Sequence, residues 1–147
     1  MDPYTLSDEE VLALTIIGEG RGEPIEGQVA IGCVNRNRLH HDPAKYKSYK
    51  NVCLEKEQFS CWNENDPNRA YLLDLGSRMV NNQVINDIYL RQCIWVAHGI
   101  YDWSILDNTK GSLYYLTKKL FYDNRPSWAK LPQSTPLTIG NQIFFNV

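Results

Sequence analysis

The sequence predicts an α+β fold that is mainly α-helical, with a small antiparallel β-sheet formed late in the chain. Three observations lead to this prediction. Apolar residues recur at helical spacing over most of residues 1–102, and helix-start signals precede these stretches. Beyond Asp107 the pattern changes to short segments that are typical of strands. The 147 residues are the length of one ordinary domain, so we expect a single domain over residues 1–147.

The first two helices are predicted from their start signals. Residues 7–10 (Ser-Asp-Glu-Glu) form a potential capping box, and an apolar stripe follows at Val11, Leu14 and Ile17. This helix is expected to loosen at residues 18–22, because three glycines alternate there with charged residues. A second helix is expected to begin near Pro24, a favoured first-turn residue, and to run to about Leu39.

The middle of the chain is predicted to contain a long irregular excursion followed by two helices. The excursion covers residues 40–66 and includes a possible short strand at 51–54; a loop of this length is usually functional. A third helix follows Asp66 and Pro67 and ends at about Val80. A fourth covers roughly residues 87–102, with four residues expected to face inward: Ile88, Cys93, Ile94 and Ala97.

The last third of the chain is predicted to form the sheet. Residues 113–117 (Leu-Tyr-Tyr-Leu-Thr) have strand composition, and residues 138–145 are typical of a tight hairpin that turns at Gly140-Asn141. Tyr114 and Tyr115 alternate along the first strand, so one is expected to face the core and the other a ligand. Four other aromatic residues are assigned to the core, namely Trp95, Trp103, Phe121 and Phe145.

Charge and hydropathy exclude several classes of partner. Lys and Arg total 15 against 17 Asp and Glu, giving a formal net charge of −2, which argues against sequence-independent binding of nucleic acid. The longest apolar stretch, residues 11–17, is far shorter than a membrane-spanning helix, so no stable membrane insertion is expected. The N-terminal residues lack the basic and apolar regions of a secretory signal, which predicts synthesis in the cytoplasm.

The cysteines and histidines do not match a metal-binding pattern. The sequence contains no CxxC pair, no HExxH motif and no His near a Cys at ligand spacing, so we expect neither a metal nor a cofactor. Cys33 and Cys93 lie in apolar helical patterns and are expected to be buried thiols. Cys53 and Cys61 lie in one loop region and could pair in an oxidising compartment.

Glu19 is the strongest candidate for acid–base chemistry. It follows an apolar helix and lies between two glycines, which leave the approach to it open. Partial burial and the negative end of the helix dipole both raise a carboxyl pKa, as a general acid near neutral pH requires. A plain surface glutamate in a glycine-rich turn is the alternative that residue chemistry alone leaves open.

Glu23 is a possible second carboxylate, because two neighbouring carboxyl groups can take different pKa values and different roles. The alternative is that Glu23 pairs with Arg21 or caps the second helix. Asp102 and Asp107 are the other candidates for a second carboxylate. A conventional glycosidase needs two carboxyl groups about 5–10 Å apart, a distance that sequence does not give.

Aromatic residues make up 12% of the chain, and some of them have the neighbours expected in a saccharide site. Residues 58–63 (Gln-Phe-Ser-Cys-Trp-Asn) combine amides, which bond hydroxyl groups, with an indole, which stacks on a sugar ring. Gln58, Trp62 and one of Tyr114 and Tyr115 are therefore candidate substrate-binding residues. The alternative is a loop that Phe59 and Trp62 merely anchor in the core.

Several segments together resemble the spore cortex-lytic (SleB/CwlJ-like) cell wall hydrolases. Residues 18–30 (GEGRGEPIEGQVA) are similar to the long signature of that family, and residues 34–36 (VNR) match its continuation. Residues 58–60 (QFS), 110–115 (KGSLYY) and 138–144 (TIGNQIF) resemble its later motifs in the same order. Gly20 departs from the signature, which has alanine there, and the loop after His40 is unlike the family pattern.

The resemblance implies a lysozyme-like, mainly helical fold and an enzyme that cleaves the glycan strands of peptidoglycan. It implies that Glu19 is the single catalytic acid of a lytic transglycosylase, which forms 1,6-anhydro-N-acetylmuramic acid. Gln28, which lies within the signature, joins Gln58, Trp62, Tyr114 and Tyr115 as a candidate for binding the substrate. The alternatives are a hydrolytic muramidase, a non-catalytic wall-binding module, and an endopeptidase or amidase, which would need a metal or a Cys/His pair.

A single domain without a signal resembles a phage endolysin within this family. The resemblance then implies a monomer that accumulates in the cytoplasm, is released through a holin, and acts in the periplasm or cell wall. A virion-associated enzyme that pierces the wall is the alternative.

Overall fold

A computed structural model describes residues 1–56, 58–83, 86–129 and 137–146. Within them the helices are α1 (Asp8–Gly20), α2 (Ile25–His41), α3 (Tyr49–Cys53), α4 (Pro67–Val80), α5 (Ile88–Tyr101) and α6 (Lys118–Asp123). The strands are β1 (Tyr114–Thr117), β2 (Leu137–Ile139) and β3 (Gln142–Phe145). Short 3-10 turns lie at Pro3–Thr5 and Ser60–Trp62. The predicted helical architecture with a late sheet is confirmed.

Helix α1 forms the centre of the main core. Every residue from Val11 to Ile17 is buried, so this helix is covered on all sides, and α2, α3, α4 and α5 pack around it. Its predicted capping box is present: Ser7 Oγ accepts from the Glu10 N–H, and Glu10 Oε1 accepts from the Ser7 N–H at 2.8 Å. This cap fixes the start of the helix that carries Glu19 at its other end.

Helix α1 is longer than the sequence predicts, because it continues through Gly18 and Glu19 to Gly20. A Cβ at position 18 would lie 2.8 Å from both Cβ and Sγ of Cys61. The missing side chain therefore lets the helix backbone pack directly on the Ser60–Trp62 turn. This tertiary packing outweighs the low helix propensity of glycine, which costs about 1 kcal/mol.

The predicted strand at residues 51–54 is wrong, because Tyr49–Cys53 form helix α3. The hydroxyl of Ser48 caps this helix by accepting from the Asn51 N–H at 3.2 Å. Tyr49, Val52 and Cys53 are buried at helical spacing, so packing against α1 and α2 selects one helical turn here.

The predicted inward face of α5 is only partly correct. Cys93 and Ala97 are buried as expected, but Ile88 and Ile94 are exposed. The buried stripe also includes Leu90, Val96 and Ile100. This stripe turns Ile88 and Trp95, seven residues apart on one helix face, toward solvent.

Two of the four aromatic residues assigned to the core are in fact on the surface. Trp95 is 62% exposed and Trp103 is 58% exposed, and Trp103 has a positive φ of 64° just after the end of α5. Phe121 and Phe145 are buried as predicted and pack together in a small core under the sheet.

The sheet has the strand order β1-β3-β2 and is antiparallel throughout. The predicted hairpin is confirmed, with Thr138 opposite Ile143 and with Gly140 at a φ of 58°, which favours glycine. Phe144 lies opposite Tyr115 and packs on Ala30 and Val34, which joins the sheet to α2. Helix α6, which the sequence did not predict, follows β1 directly.

The four cysteines are all buried thiols without a disulfide, as predicted for Cys33 and Cys93. Cys53 and Cys61, the pair considered for an oxidising compartment, are buried thiols as well. Among the described residues, none of the helices has the length and apolar character needed to cross a membrane.

Candidate active site

Glu19 lies in the last turn of α1, half-buried beside the Ser60–Trp62 turn. Burial raises the pKa of its carboxyl group from the ordinary 4.5 to about 7, and the negative charge of Asp66 adds to this effect. A hydrogen bond from the Ser60 backbone and the positive charge of Arg38 act in the opposite direction. A substantial fraction of Glu19 is therefore protonated at neutral pH, the state from which a general acid acts.

Arg38, a residue that the sequence did not single out, connects several parts of the site. Its Nε donates to the Leu113 carbonyl oxygen at 2.5 Å, and its Nη1 donates to Oε1 of Gln58 at 3.3 Å. The guanidinium also lies 5.2 Å from the centre of the Tyr114 ring. Arg38 thus holds the predicted residues Gln58 and Tyr114 together at one cleft. No local signal marks it, because its two hydrogen-bond partners are 20 and 75 residues away in sequence.

Tyr114 and Tyr115 point in different directions, as their alternation predicts. Tyr114 is 38% exposed, and the centre of its ring lies 5.5 Å from that of Trp128, another exposed aromatic residue. Tyr115 is directed inward, and its hydroxyl oxygen is buried without a hydrogen-bond partner in the described part of the chain. Burial first, and then the negative charge of Glu19, raise the pKa of the Tyr115 phenol well above its usual range. The charge of Glu19 therefore acts on Tyr115, and Tyr114 is the more open of the two tyrosines.

Trp62 is more buried than a stacking platform would be. Only 9% of its surface is exposed, and its indole Nε1–H donates to Oγ1 of Thr15 at 2.8 Å. This geometry favours the alternative in which the aromatic residues of 58–63 anchor the loop. The edge of Trp62 still borders a cleft of about 620 Å³ that is also lined by Asn63 and Arg69.

Two clefts adjoin the segment that contacts Glu19. Trp62 borders the larger one, while Gln58 borders a smaller cleft of about 120 Å³ together with Arg38 and Tyr114. Ser60, whose backbone contacts Glu19, lies between Gln58 and Trp62 in the chain. The two clefts therefore border the same short segment, one at Gln58 and the other at Trp62.

Gln28 lies near the end of α1 but is buried rather than presented on a surface. It is 1% exposed, and its amide oxygen has no hydrogen-bond partner in the parts of the chain that the structure describes. Its Cγ would lie 3.7 Å from a Cβ on Gly20, the residue after Glu19. A buried amide oxygen without a partner is costly, so Gln28 stays a candidate for a polar contact with a ligand.

Glu23 is held by the β2–β3 hairpin. Its Oε2 accepts from the backbone N–H of Asn141 at 3.0 Å, and its Oε1 accepts from the side chain of Gln142 at 3.4 Å. These bonds, and not a pairing with Arg21, account for the buried carboxylate. The geometry favours a structural role for Glu23 over that of a second catalytic carboxylate.

The other carboxylates considered at the sequence level also have structural partners. Asp107 accepts hydrogen bonds from Thr109, Gly111 and Asn37; burial raises the pKa of its carboxyl group, but these bonds outweigh burial and lower it overall. Asp102 accepts from the Ser104 N–H at the end of α5. Within the described ranges, no three His, Cys, Asp or Glu side chains are grouped as a metal site would need.

Comparisons with solved structures show the fold. The crystal structure of the catalytic domain of the Bacillus cereus SleB protein has a TM-score of 0.57 and 23% identity, and the match covers 94% of this chain and 88% of that one. The catalytic domain of the germination-specific lytic transglycosylase SleB from Bacillus anthracis has a TM-score of 0.57 and 22% identity, with 98% and 99% coverage. The expected fold class, lysozyme-like and mainly helical, is confirmed.

A family model adds evidence from the sequence itself. No curated protein sequence matches the chain. The model described as Cell Wall Hydrolase matches residues 22–145, which is most of the chain and includes every predicted substrate-binding residue. Glu19 lies just before this matched segment. The chain therefore belongs to the cell wall hydrolase family.

Proposed function

We propose that this protein degrades peptidoglycan by cleaving the bond between N-acetylmuramic acid and N-acetylglucosamine, with Glu19 as the general acid and base. The observation that carries the proposal is the half-buried carboxyl group of Glu19, which contacts the Ser60 backbone and whose pKa burial raises to about 7. Membership of the cell wall hydrolase family supports the substrate class. The SleB catalytic domain, named as a lytic transglycosylase, supports the type of reaction.

The proposed mechanism needs one carboxyl group. Protonated Glu19 gives its proton to the glycosidic oxygen, the bond from C1 of muramic acid to that oxygen breaks, and positive charge develops at C1. The Glu19 carboxylate then takes the proton of the muramic O6 hydroxyl as that oxygen attacks C1. A 1,6-anhydro ring forms, Glu19 is protonated again by the proton from O6, and no water is consumed.

A hydrolytic muramidase is the second candidate, since it would cleave the same bond with water. It needs another carboxylate to position water or to stabilise the cation. Asp66 is the carboxylate whose charge acts on Glu19, but its Oδ1 caps α4 by accepting from the Asn68 N–H at 2.8 Å. Glu23 is bound to the hairpin. Both engagements support the transglycosylase.

Mass spectrometry of fragments released from purified peptidoglycan tests the proposal. A lytic transglycosylase releases muramic ends that are lighter by one water than the ends a hydrolase releases. Glu19→Gln serves as the control for contaminating activity. Muramic ends that carry the added water would show that the enzyme is a hydrolytic muramidase and not a transglycosylase. Tight binding to wall material without any fragments would indicate a wall-binding module.

The cellular role stays a prediction from the sequence. As an endolysin the protein would act from inside the producing cell and would depend on a holin to reach the wall. Co-expression in a bacterial host with and without a holin tests this role: lysis that requires both proteins supports it, and lysis without a holin contradicts it. Size-exclusion chromatography with light scattering tests the predicted monomer.

A further inference from the structure

Trp103 lies just beyond the C-terminal end of α5 in a conformation that bulky residues rarely adopt. Its φ is +64°, in the left-handed region, and its side chain is 58% exposed. Such strain persists only where the surrounding structure maintains it, and it concentrates at functional sites. The strained backbone keeps a large aromatic ring in solvent at this position.

One face of the Trp103 ring is supported by the buried side chain of Arg36. The guanidinium of Arg36 lies 4.2 Å from the ring centre, and Arg36 is itself fixed by hydrogen bonds from its Nη1 to the carbonyl oxygens of Ile100 and Ile105. The His40 ring lies 5.0 Å away at a tilt of 54°. One face of the indole is therefore held against a fixed cation while the ring remains open to solvent, an orientation that needs little ordering on binding.

This aromatic surface lies on the other side of α2 from the candidate active site. Arg36 and His40 are four residues apart and share one face of the helix. Arg38, which acts on Glu19 and borders the small cleft with Gln58, is two residues from Arg36 and about 200° around the helix axis from it. Trp103 therefore belongs to a separate surface.

We propose that Trp103, backed by Arg36 and flanked by His40, is a second saccharide-binding platform that takes N-acetylhexosamine units of a glycan strand. A fixed indole with an open face can stack on the apolar face of a sugar ring, while neighbouring polar side chains bond its hydroxyl groups. Asp102 and Asp107 flank this loop and are exposed, which disfavours a nucleic acid or an anionic lipid as the occupant. The choice of polymer rests on the proposed function.

Two sites on one polymer would act together. A strand held at Trp103 raises the local concentration of its other segments at Glu19, so retention on an intact wall increases without any change in the chemistry. Loss of the platform should then weaken binding to wall particles and slow their lysis. Turnover of soluble fragments too short to reach both sites should be unchanged.

Nuclear magnetic resonance provides a direct test on the folded protein. An N-acetylglucosamine oligomer is titrated into the Glu19→Gln variant, and the indole N–H signals of Trp103 and Trp95 are followed. Trp95, 62% exposed on the outer face of α5, is the matched control. The Trp103 signal is expected to shift with saturation, and the Trp95 signal is not. An unmoved Trp103 signal, an equal shift of both, or a shift with an oligonucleotide only overturns the proposal.

Variants test the same platform on purified wall particles. In the Glu19→Gln background, Trp103→Ala should weaken pelleting with the particles by about three- to tenfold, as loss of an aromatic contact typically does. Trp103→Tyr should restore most of the binding, and Trp95→Ala should leave it unchanged. Equal binding by Trp103→Ala and Trp95→Ala contradicts the platform.

The experiments separate this proposal from the proposed function. The titration does not depend on catalysis, so a saturating shift at Trp103 in a protein that releases no fragments would keep the platform and reject the enzyme. Released fragments together with an unmoved Trp103 signal would support the enzyme and reject the platform.

Discussion

The carboxylate of Glu23 accepts a hydrogen bond from the backbone N–H of Asn141 at 3.0 Å, which joins the loop after α1 to the β2–β3 hairpin across most of the chain. The close approach depends on Gly140, where a Cβ would lie within 2.5 Å of Glu23 Oε2. The family-like motif at residues 18–30 is thus fastened to the motif at 138–144. Glu19 lies four residues before Glu23, within the first of these two motifs.

Glu23→Ala should lower the free energy of unfolding, because it leaves the Asn141 N–H and the Gln142 amide without their acceptor. The expected loss is about 1–3 kcal/mol, measured by urea denaturation. Glu23→Gln keeps an acceptor oxygen and should lose less. If Glu23 were instead the second catalytic carboxylate, Glu23→Gln would remove nearly all glycan cleavage while the protein remained stable.

The raised pKa of Glu19 predicts the pH dependence of activity. The proposed mechanism starts from the protonated carboxyl group, so glycan cleavage should fall as the pH rises through about 7. Initial rates on wall suspensions from pH 5 to 9, at constant ionic strength, measure this descending limb of the pH–rate profile. A limb near the ordinary pKa of 4.5 would contradict the burial of Glu19.

Arg38 should set the position of that limb. Its positive charge lowers the pKa of Glu19, so Arg38→Met should raise that pKa and extend activity to higher pH. Arg38→Lys keeps the charge and should leave the limb closer to that of the wild type. It loses the two separate hydrogen bonds that Nε and Nη1 donate to Leu113 and Gln58. A limb that moves to lower pH in Arg38→Met would contradict this electrostatic role.

The same burial makes Glu19 unfavourable for folding at high pH. Its pKa is higher in the folded than in the unfolded chain, so its folded-state penalty is absent below about pH 4.5 and fully developed above about pH 7. Glu19→Gln should therefore raise the free energy of unfolding by about 1–3 kcal/mol at pH 8 relative to its effect at pH 4. Urea denaturation of both proteins at the two pH values checks it, and equal differences would reject the shift.

Tyr115→Phe should separate substrate binding from folding. The Tyr115 hydroxyl is buried without a partner in the described residues, so its removal should leave the free energy of unfolding unchanged or slightly higher. If the hydroxyl bonds the substrate, KM should rise by roughly two- to tenfold, as one lost hydrogen bond implies. Steady-state kinetics on a soluble glycan measures this, with Tyr122→Phe as the control, because Tyr122 of α6 is exposed. An unchanged KM would remove Tyr115 from the substrate-binding residues.

Local chemistry explains which elements could be predicted from the sequence. Three helices start at a side-chain cap that lies within three residues of its partner, namely at Ser7, Asp66 and Asp87. Neighbouring residues therefore determine where these helices begin. The hairpin at Gly140 is equally local, because its turn needs a positive φ. Glu19 was a candidate because it follows an apolar helix, although the Ser60–Trp62 turn that lies beside it comes from a distant part of the chain.

The remaining features depend on contacts between distant residues. The continuation of α1 through Gly18 depends on Cys61, which lies 43 positions later, and the exposure of Trp95 depends on which face of α5 meets α1. Trp103 was assigned to the core because tryptophan is usually well buried, whereas its position is set by Arg36. No local sequence pattern marks Arg38 either, since tertiary contacts alone bring it to Glu19.

The proposed function depends above all on Glu19, the acid that would cleave the glycan strand. The most direct measurement is the rate at which purified peptidoglycan is degraded by the wild type and by Glu19→Gln, both shown to be folded by circular dichroism. The glutamine keeps the size of the side chain but cannot donate the acidic proton, so the rate should fall by at least about 10²- to 10⁴-fold. A folded Glu19→Gln protein that degrades peptidoglycan at the wild-type rate would exclude Glu19 as the catalytic acid.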